Sequence, residues 1–255
     1  MTGSIAAGVP AGTWIGGVFG WRATFAAMAV AGALVLLAAL ITLPRREGPD
    51  ETPVLREQMR ALRQRPILLG LVANCVLMTG SMMMLTYLAP YLAASTSAGV
   101  EERALAFSLS GIAGIVGIWL GGIATDRWGA DRALLFGIGV IVLAMIGLWG
   151  LWLARPTSLP LVLVVATVWG GMAFWNSPAI QARLHVLAGP VSGQALALNT
   201  SGTYLGVSAG AAVGGLALSS LGIGVLPLIA AAFALGALVL LALASKSGPT
   251  AARKV

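Results

Sequence analysis

Charged residues are scarce in this sequence of 255 residues. They make up 9% of the chain, against roughly 25% in an ordinary soluble domain. Apolar residues reach 58%, which is more than a soluble fold of this length could hide, because its surface still needs polar cover. The composition therefore excludes an ordinary soluble protein and predicts a protein embedded in a lipid bilayer.

Cysteine and histidine are almost absent as well. The one cysteine, Cys75, cannot form an internal disulfide, and its place in an apolar run is typical of a small buried side chain. The one histidine, His185, has no cluster of ligands near it, so neither a metal nor a cofactor is predicted. The net charge of +7 comes from basic residues that form no stripe on a polar face, which argues against a nucleic-acid partner.

The apolar residues are grouped in runs long enough to cross a membrane as helices, since a span needs about 20 of them. Eight runs are predicted, at about 2–19, 23–43, 67–93, 104–124, 133–154, 160–180, 195–219 and 224–244. The first run is the weakest, because it is only about 27 Å long as a helix and contains Pro10. The predicted fold class is thus an all-α membrane protein with eight transmembrane helices.

The connections between the runs carry basic residues asymmetrically. With both termini in the cytoplasm, the inner side collects Arg45, Arg46, Arg56, Arg60, Arg63, Arg65, Arg127, Arg132, Arg183, Lys246, Arg253 and Lys254. The outer side has Arg22, Arg103 and Arg155. This bias predicts a multi-pass protein of the cell membrane with both termini inside. It does not indicate whether the first run spans the membrane, because the other loops keep their sides with or without that span. The N-terminus has no basic region ahead of its apolar run, so a cleaved signal peptide is not expected.

Two short segments recur in similar form later in the chain and indicate an internal repeat. The stretch "GVPAGTWIGG" (8–17) returns as "GVSAGAAVGG" (206–215), and "GALVLL" (32–37) returns at 236–241. The offsets are 198 and 204 residues, so the first two runs correspond to the last two. Because four runs precede that last pair within its unit, we expect four further helices upstream of the first pair.

At these motifs the chain resembles the major facilitator superfamily, in its drug:proton antiporter branch of arabinose efflux permeases and chloramphenicol exporters. Residues 8–17 with "GWRATF" (20–25) resemble the antiporter signature of the family's fifth helix, and "GGIATDRWGADR" (121–132) resembles its loop motif between helices eight and nine. Ala130 and Asp131 depart from the strong form of that loop. The resemblance implies helices five to twelve of a twelve-helix bundle.

The resemblance also implies an organisation of the chain. Residues 1–44 would be the last two helices of the N-terminal half, 45–66 the cytoplasmic central loop, 67–245 the six-helix C-terminal half, and 246–255 a cytoplasmic tail.

Two motifs are predicted to have a mechanical role. The glycines of residues 8–17 put bare backbone on one helix face, and Pro10 can kink that helix. The resemblance implies that the set Gly8, Pro10, Gly12, Gly16 and Gly17 seals the two halves of the transporter. Plain tight packing is the alternative. The set Gly122, Asp126, Arg127 and Gly129 is implied to form a gating loop at the cytoplasmic face, where a solvated loop charge is the alternative.

A solute cavity is predicted from the distribution of polar residues. The runs at 23–43, 133–154 and 224–244 are almost purely apolar, as lipid-facing helices should be, whereas the others carry polar groups suited to lining a cavity. The candidate lining residues are Asn74, Met78, Ser81, Met82, Trp169, Asn176, Asn199 and Thr203. They suit a hydrophobic or amphiphilic solute, and interhelical hydrogen bonding or core filling is the alternative for each.

The predicted function is proton-coupled efflux of a drug-like or other small solute by alternating access. The alternatives are a truncated, non-transporting remnant or assembly partner, and an uptake permease. An enzyme is not expected, because no run brings together a nucleophile, base and acid. All eight acidic residues (Glu47, Asp50, Glu51, Glu57, Glu101, Glu102, Asp126 and Asp131) fall in connections. The expected partners are the solute, protons and the bilayer, and the proton-carrying acid would lie in the upstream helices.

Overall fold

The computed structural model describes residues 12, 15, 16, 18–42 and 63–246, in which every regular element is a helix. Eight α-helices follow one another: α1 Trp21–Thr42, α2 Arg65–Thr86, α3 Leu88–Thr96, α4 Val100–Trp128, α5 Ala130–Leu153, α6 Leu159–Ala188, α7 Ser192–Leu221 and α8 Leu226–Lys246. Two short 3-10 turns, Gly189–Val191 and Ile223–Val225, join α6 to α7 and α7 to α8. The predicted central loop and tail therefore lie almost entirely outside the described residues.

Six stretches of the described residues are long and apolar enough to cross a membrane. One of them, Leu159–Leu221, has 63 residues and would extend about 95 Å as a straight helix, roughly three times the hydrocarbon thickness. It is instead interrupted at Gly189 (φ +50°), and its two parts are the 30-residue helices α6 and α7. The other predicted runs from the second onward also appear as helices. The first run lies mostly outside the described residues, so the count of eight spans stays a prediction.

The helix ends are placed by glycine and proline. Pro66 and Pro160 lie in the first turns of α2 and α6, where a missing backbone N–H costs nothing. Gly129 and Gly222 adopt φ +82° at the ends of α4 and α7, a conformation that glycine reaches most easily. The run predicted at 67–93 is divided at Tyr87 into α2 and the short α3.

Four acidic residues lie in terminal turns of helices and not in the connections that the sequence predicted. Glu101 and Glu102 are in the first turn of α4 and Asp131 is in the first turn of α5, while Asp126 is in the last turn of α4. The Glu102 carboxylate accepts a hydrogen bond from the Gly99 N–H. Because the partial positive charge of a helix N-terminus favours a carboxylate, the three first-turn residues allow α4 and α5 to begin before their apolar runs.

Helices α2 and α4–α8 form one bundle in which α2 is the most buried span. Its main neighbours are α7 and α8, while α4 packs against α6, and α5 packs against both α6 and α8. The contact of α4 with α6 is close enough that a Cβ on Gly170 would lie 2.8 Å from the Cβ of Ser110. The two apolar helices α5 and α8 bury mostly small or branched side chains against these neighbours. Apolar side chains on their other faces are exposed.

Helix α1 differs from the others because almost all of its side chains are exposed and none is buried. Its Thr24 hydroxyl donates to the Gly12 carbonyl over 3.2 Å, and a Cβ on Gly16 would lie 3.1 Å from that hydroxyl. A helix that is apolar all round and uncovered by protein is suited to lipid or to further helices.

Candidate functional site

A small cavity lies among α2, α4 and α6. It is lined by Met82, Leu85, Ser110, Trp169, Gly170, Ala173 and Phe174, and its volume of about 10 Å³ is roughly the room of one water molecule. Ser110 and Trp169 each lie ten residues after the start of their helix, so they are about 15 Å along α4 and α6. Because α4 and α6 have 29 and 30 residues, both side chains lie about a third of the way along their helices.

Two residues of the cavity wall have a buried polar atom without a hydrogen-bond partner. These atoms are the Oγ of Ser110 and the Nε1 of Trp169, and the buried Ser81 Oγ elsewhere on α2 also has no partner. All three side chains are at most 3% exposed. A buried polar group without a partner is rare and costs roughly 1–3 kcal/mol, so a wall that includes two such residues is a candidate functional site.

Only part of the predicted cavity set meets here. Met82 and Trp169 line the cavity, and Ser81 directly precedes Met82 in the chain. Asn74 instead donates from its Nδ2 to the Thr203 Oγ1 over 2.9 Å, a hydrogen bond between α2 and α7. The two residues thus form an interhelical contact, and their place in a solute cavity stays a prediction.

The remaining predicted lining residues lie at two helix contacts. Met78 packs on Gly206 of α7, whose added Cβ would come within 2.9 Å of the Met78 Cβ. Asn199 lies one turn before Thr203 and has an unpartnered buried Oδ1. Asn176 faces α5, because a Cβ on Gly137 would lie 2.5 Å from its Oδ1. The structure thus distributes the predicted set over three places.

Five wall residues were not predicted: Leu85, Ser110, Gly170, Ala173 and Phe174. The sequence offered one sign of this wall, the adjacent glycines 170 and 171. Glycines allow two helices to approach closely, and a cavity of this size can be enclosed only by helices in close contact. Ser110 was visible in the sequence as a polar residue within an apolar run, yet its position opposite Gly170 follows only from the pairing of α4 with α6.

The predicted gating loop connects α4 to α5. Gly129 makes the turn with a positive φ, as expected for a tight connection, and nothing lies within 4 Å of a Cβ added to Gly122 on α4. Asp126 and Arg127 are both exposed in the last turn of α4. Their gating role stays a prediction.

An ion pair that was not predicted from the sequence lies next to this loop. The Arg183 Nε on α6 donates to the Asp131 Oδ1 at the start of α5 over 2.8 Å. The Arg183 side chain is 9% exposed, and its guanidinium covers Gly70 of α2, whose added Cβ would lie 3.0 Å from the Arg183 Nη1. Arg183 therefore joins the ends of three helices, and Asp131, which departs from the family motif, is the carboxylate that it binds.

The predicted sealing motif is described only in part. Gly12 and Gly16 lie beside Thr24 of α1, whereas Gly8, Pro10 and Gly17 lie outside the described residues. The second copy of the motif is described fully. Gly206, Gly210 and Gly214 are buried along one face of α7, which brings its backbone against α2.

Sequence comparisons connect the chain to membrane transporters. The family model described as "Major Facilitator Superfamily" matches residues 1–191. The chain is 30% identical over 218 residues to the uncharacterized MFS-type transporter YbcL of Bacillus subtilis, and 32% identical over 246 residues to the inner membrane transport protein YdhP of Escherichia coli K12. These alignments cover 85% and 95% of this chain.

The chain spans little more than half the length of these relatives, namely 54% of YbcL and 61% of YdhP. A more distant relative, 26% identical over 227 residues and covering 84% of this chain and 52% of its own length, is the purine ribonucleoside efflux pump NepI of Salmonella paratyphi B.

The fold has a counterpart among solved structures. A bacterial homologue of the human lysosomal transporter Spinster, in an inward-facing and unoccupied conformation, superposes with a TM-score of 0.53 at 17% identity. The match covers 96% of this chain and 65% of that one. The arrangement of the helices is therefore that of a known transporter fold.

Proposed function

Because this chain belongs to the Major Facilitator Superfamily, we propose that it forms the greater part of a membrane transporter that exports a small solute by alternating access. The family and the named relatives are transporters and not enzymes. Export is supported by the relative named as an efflux pump and by the likeness of residues 8–17 to the antiporter signature. Uptake of a solute is the competing proposal.

The single observation that carries this proposal is the cavity among α2, α4 and α6. Its wall includes Ser110 and Trp169, whose buried polar atoms have no hydrogen-bond partner, and such groups within membrane-spanning helices are costly unless they serve a function. A hydrophobic or amphiphilic solute fits its mostly apolar wall.

We further propose that the described bundle corresponds to helices seven to twelve, and α1 to helix six, of a twelve-helix transporter. Support comes from the repeat, from the 54% and 61% coverage of the relatives, and from the exposed apolar surface of α1. Proton coupling by an acid in other helices is part of the same proposal. In the described helices, carboxylates lie only in terminal turns, where a proton carrier at mid-membrane cannot be placed.

A reconstitution experiment tests the proposal. The chain is purified and placed in liposomes, alone and together with any upstream helices that its gene encodes, and the movement of a labelled purine ribonucleoside and of a lipophilic dye is measured with and without a pH gradient. We expect movement that depends on the protein and on the gradient. The absence of movement in both arms, with the protein folded, would favour the non-transporting remnant.

Two glycine variants sharpen this experiment. Gly12→Leu places a bulky side chain in the predicted seal, and we expect at least a tenfold loss of transport. Gly32→Leu is the matched control on α1, because nothing lies within 4 Å of its Cβ, and it should transport normally. Equal transport by both variants would contradict the sealing role. Accumulation in the opposite direction under the same gradient would favour an uptake permease.

A further inference from the structure

An aromatic cluster lies beside the connection of α4 to α5. The rings of Trp128, Phe136 and Trp175 have centroids 5.4 to 6.2 Å apart. The Trp175 indole is buried and donates from its Nε1 to the Ala133 carbonyl over 3.0 Å, which holds the cluster against the first turn of α5. Trp128 and Phe136 are each 48% exposed. The cluster therefore has a buried base and an exposed aromatic surface.

Exposed arginines lie next to this aromatic surface, at the end of the bundle. Arg127 is in the last turn of α4, and Arg132 is in the first turn of α5. Neither makes an ion pair within the part of the chain that the structure describes, where the Asp131 carboxylate is bound by Arg183. Asp126 is exposed and is likewise unpaired in that part of the chain. The unpaired charges at this connection are thus two positive and one negative.

Exposed aliphatic side chains continue the aromatic surface along α5. Leu143, Ile146 and Leu153 are between 45% and 70% exposed, and their spacing from Phe136 places all four within a stripe about 100° wide on the helix. An apolar stripe that protein does not cover suits lipid chains when the helix spans a membrane. From the connection inwards, the exposed residues are therefore first arginine, then aromatic and then aliphatic, which is the order found at a membrane interface.

We propose that the interfacial surface formed by Arg127, Trp128, Arg132 and Phe136 binds anionic phospholipids of the surrounding bilayer. The two arginines attract the phosphate of the headgroup, and the two aromatic side chains contact the first part of the acyl chains. A zwitterionic lipid has the same phosphate but also a cation, which the arginines repel. The inference does not depend on transport, because it assigns a partner to a surface outside the cavity among α2, α4 and α6.

A titration with two lipids tests the proposal. The purified chain in an uncharged detergent receives dioctanoyl phosphatidylglycerol or dioctanoyl phosphatidylcholine, and native mass spectrometry measures the fraction of protein with bound lipid. We expect phosphatidylglycerol to bind about tenfold more tightly, since two arginines attract its net negative charge and Asp126 opposes them. Equal binding of the two lipids would overturn the proposal. Inorganic phosphate in excess should not displace the lipid, and complete displacement would indicate a site for free phosphate instead.

Two double variants connect that preference to the named arginines. Arg127→Gln combined with Arg132→Gln should reduce the preference for phosphatidylglycerol to less than about twofold. Arg22→Gln combined with Arg103→Gln removes the same charge from the first turns of α1 and α4, and this matched control should retain the preference. An equal loss in both double variants would show that net charge alone sets the preference, and would overturn the site.

Fluorescence quenching tests whether the Trp128 ring lies at the lipid interface. Trp128 and Trp119 are both exposed on α4, and nine residues, or about 14 Å of helix, separate them. The fluorescence of each is obtained as the difference between the parent chain and Trp128→Phe or Trp119→Phe in bilayers of brominated phosphatidylglycerol. Bromine near the headgroup end of the acyl chain should quench Trp128 more strongly than Trp119. The reverse order, or no quenching of Trp128, would contradict the assignment.

Discussion

Arg183 is largely buried and ion-paired, which its neighbours in the sequence did not indicate. Its side chain is largely buried, with the guanidinium packed on Gly70 of α2 and paired with the Asp131 carboxylate at the start of α5. Asp131 itself is 62% exposed, so the attraction is partly screened by solvent. The pair therefore holds helix ends together mainly by giving a buried cation its counter-charge.

Removing that counter-charge should destabilise the bundle. We expect Asp131→Asn to lower the free energy of unfolding by about 1–2 kcal/mol, because Arg183 would remain buried with a weaker acceptor. Thermal unfolding in detergent, followed by circular dichroism, measures this loss.

Asp126→Asn is the matched control for that measurement. Asp126 is exposed, and its change should alter stability by less than about 0.5 kcal/mol. If the gating prediction is right, Asp126→Asn should instead slow transport. Equal effects of the two substitutions on stability would contradict the role given to Arg183.

At the scale of the elements, the contact of α7 with α2 depends on three glycines spaced four residues apart. An added Cβ on Gly210 would lie 2.5 Å from the carbonyl oxygen of Thr79 and 2.9 Å from the Met83 nitrogen. Both are backbone atoms, so a side chain at Gly210 can be accommodated only if the helices separate. The same face brings the Asn74–Thr203 hydrogen bond into range.

A methyl group at this contact should be enough to disturb it. We expect Gly210→Ala to destabilise the bundle by about 1–3 kcal/mol, the usual cost of overpacking. Gly193→Ala, on the same helix with nothing within 4 Å of its Cβ, should be neutral or stabilising by up to about 1 kcal/mol through helix propensity. Unfolding in graded denaturing detergent compares them, and equal stability of the two variants would show that α7 does not approach α2 so closely.

For the whole molecule, the helix ends fall into two groups. Arg183, Asp131 and Gly70 meet at one end, and the contact of Tyr91 with Leu148 and Trp152 lies at the other. The predicted inner side contains Arg63, Arg65, Arg127, Arg132 and Arg183, all near the first end. Which end faces the cytoplasm stays a prediction of the positive-inside bias.

Labelling with a membrane-impermeant maleimide tests the orientation. In a Cys75→Ala background, which removes the one cysteine, Glu101→Cys and Asp126→Cys place a thiol at opposite ends of α4. We expect Glu101→Cys to be labelled on intact cells and Asp126→Cys only after permeabilisation. The background without cysteine is the control, and the reverse pattern would overturn the predicted topology.

Some parts of the candidate site were predictable from the sequence and others were not. Met82 and Trp169 were identified because polar or polarisable residues in apolar runs are conspicuous. Asn74 and Thr203 were equally conspicuous, but they satisfy each other across a helix contact. A polar residue in a membrane helix indicates that it needs a partner, and sequence periodicity does not say whether that partner is another helix or a ligand.

The sequence by itself determined that the chain is a helical membrane protein and where most of its spans run, because the cost of exposing polar backbone to lipid leaves helices as the solution for long apolar runs. It also determined the family, through short motifs at fixed places. Only the tertiary structure decided which helices approach each other, that Arg183 binds Asp131, and that Ser110 and Trp169 belong to the wall of one cavity. Those facts depend on contacts between residues far apart in the chain, where close packing selects one arrangement among many with the same composition.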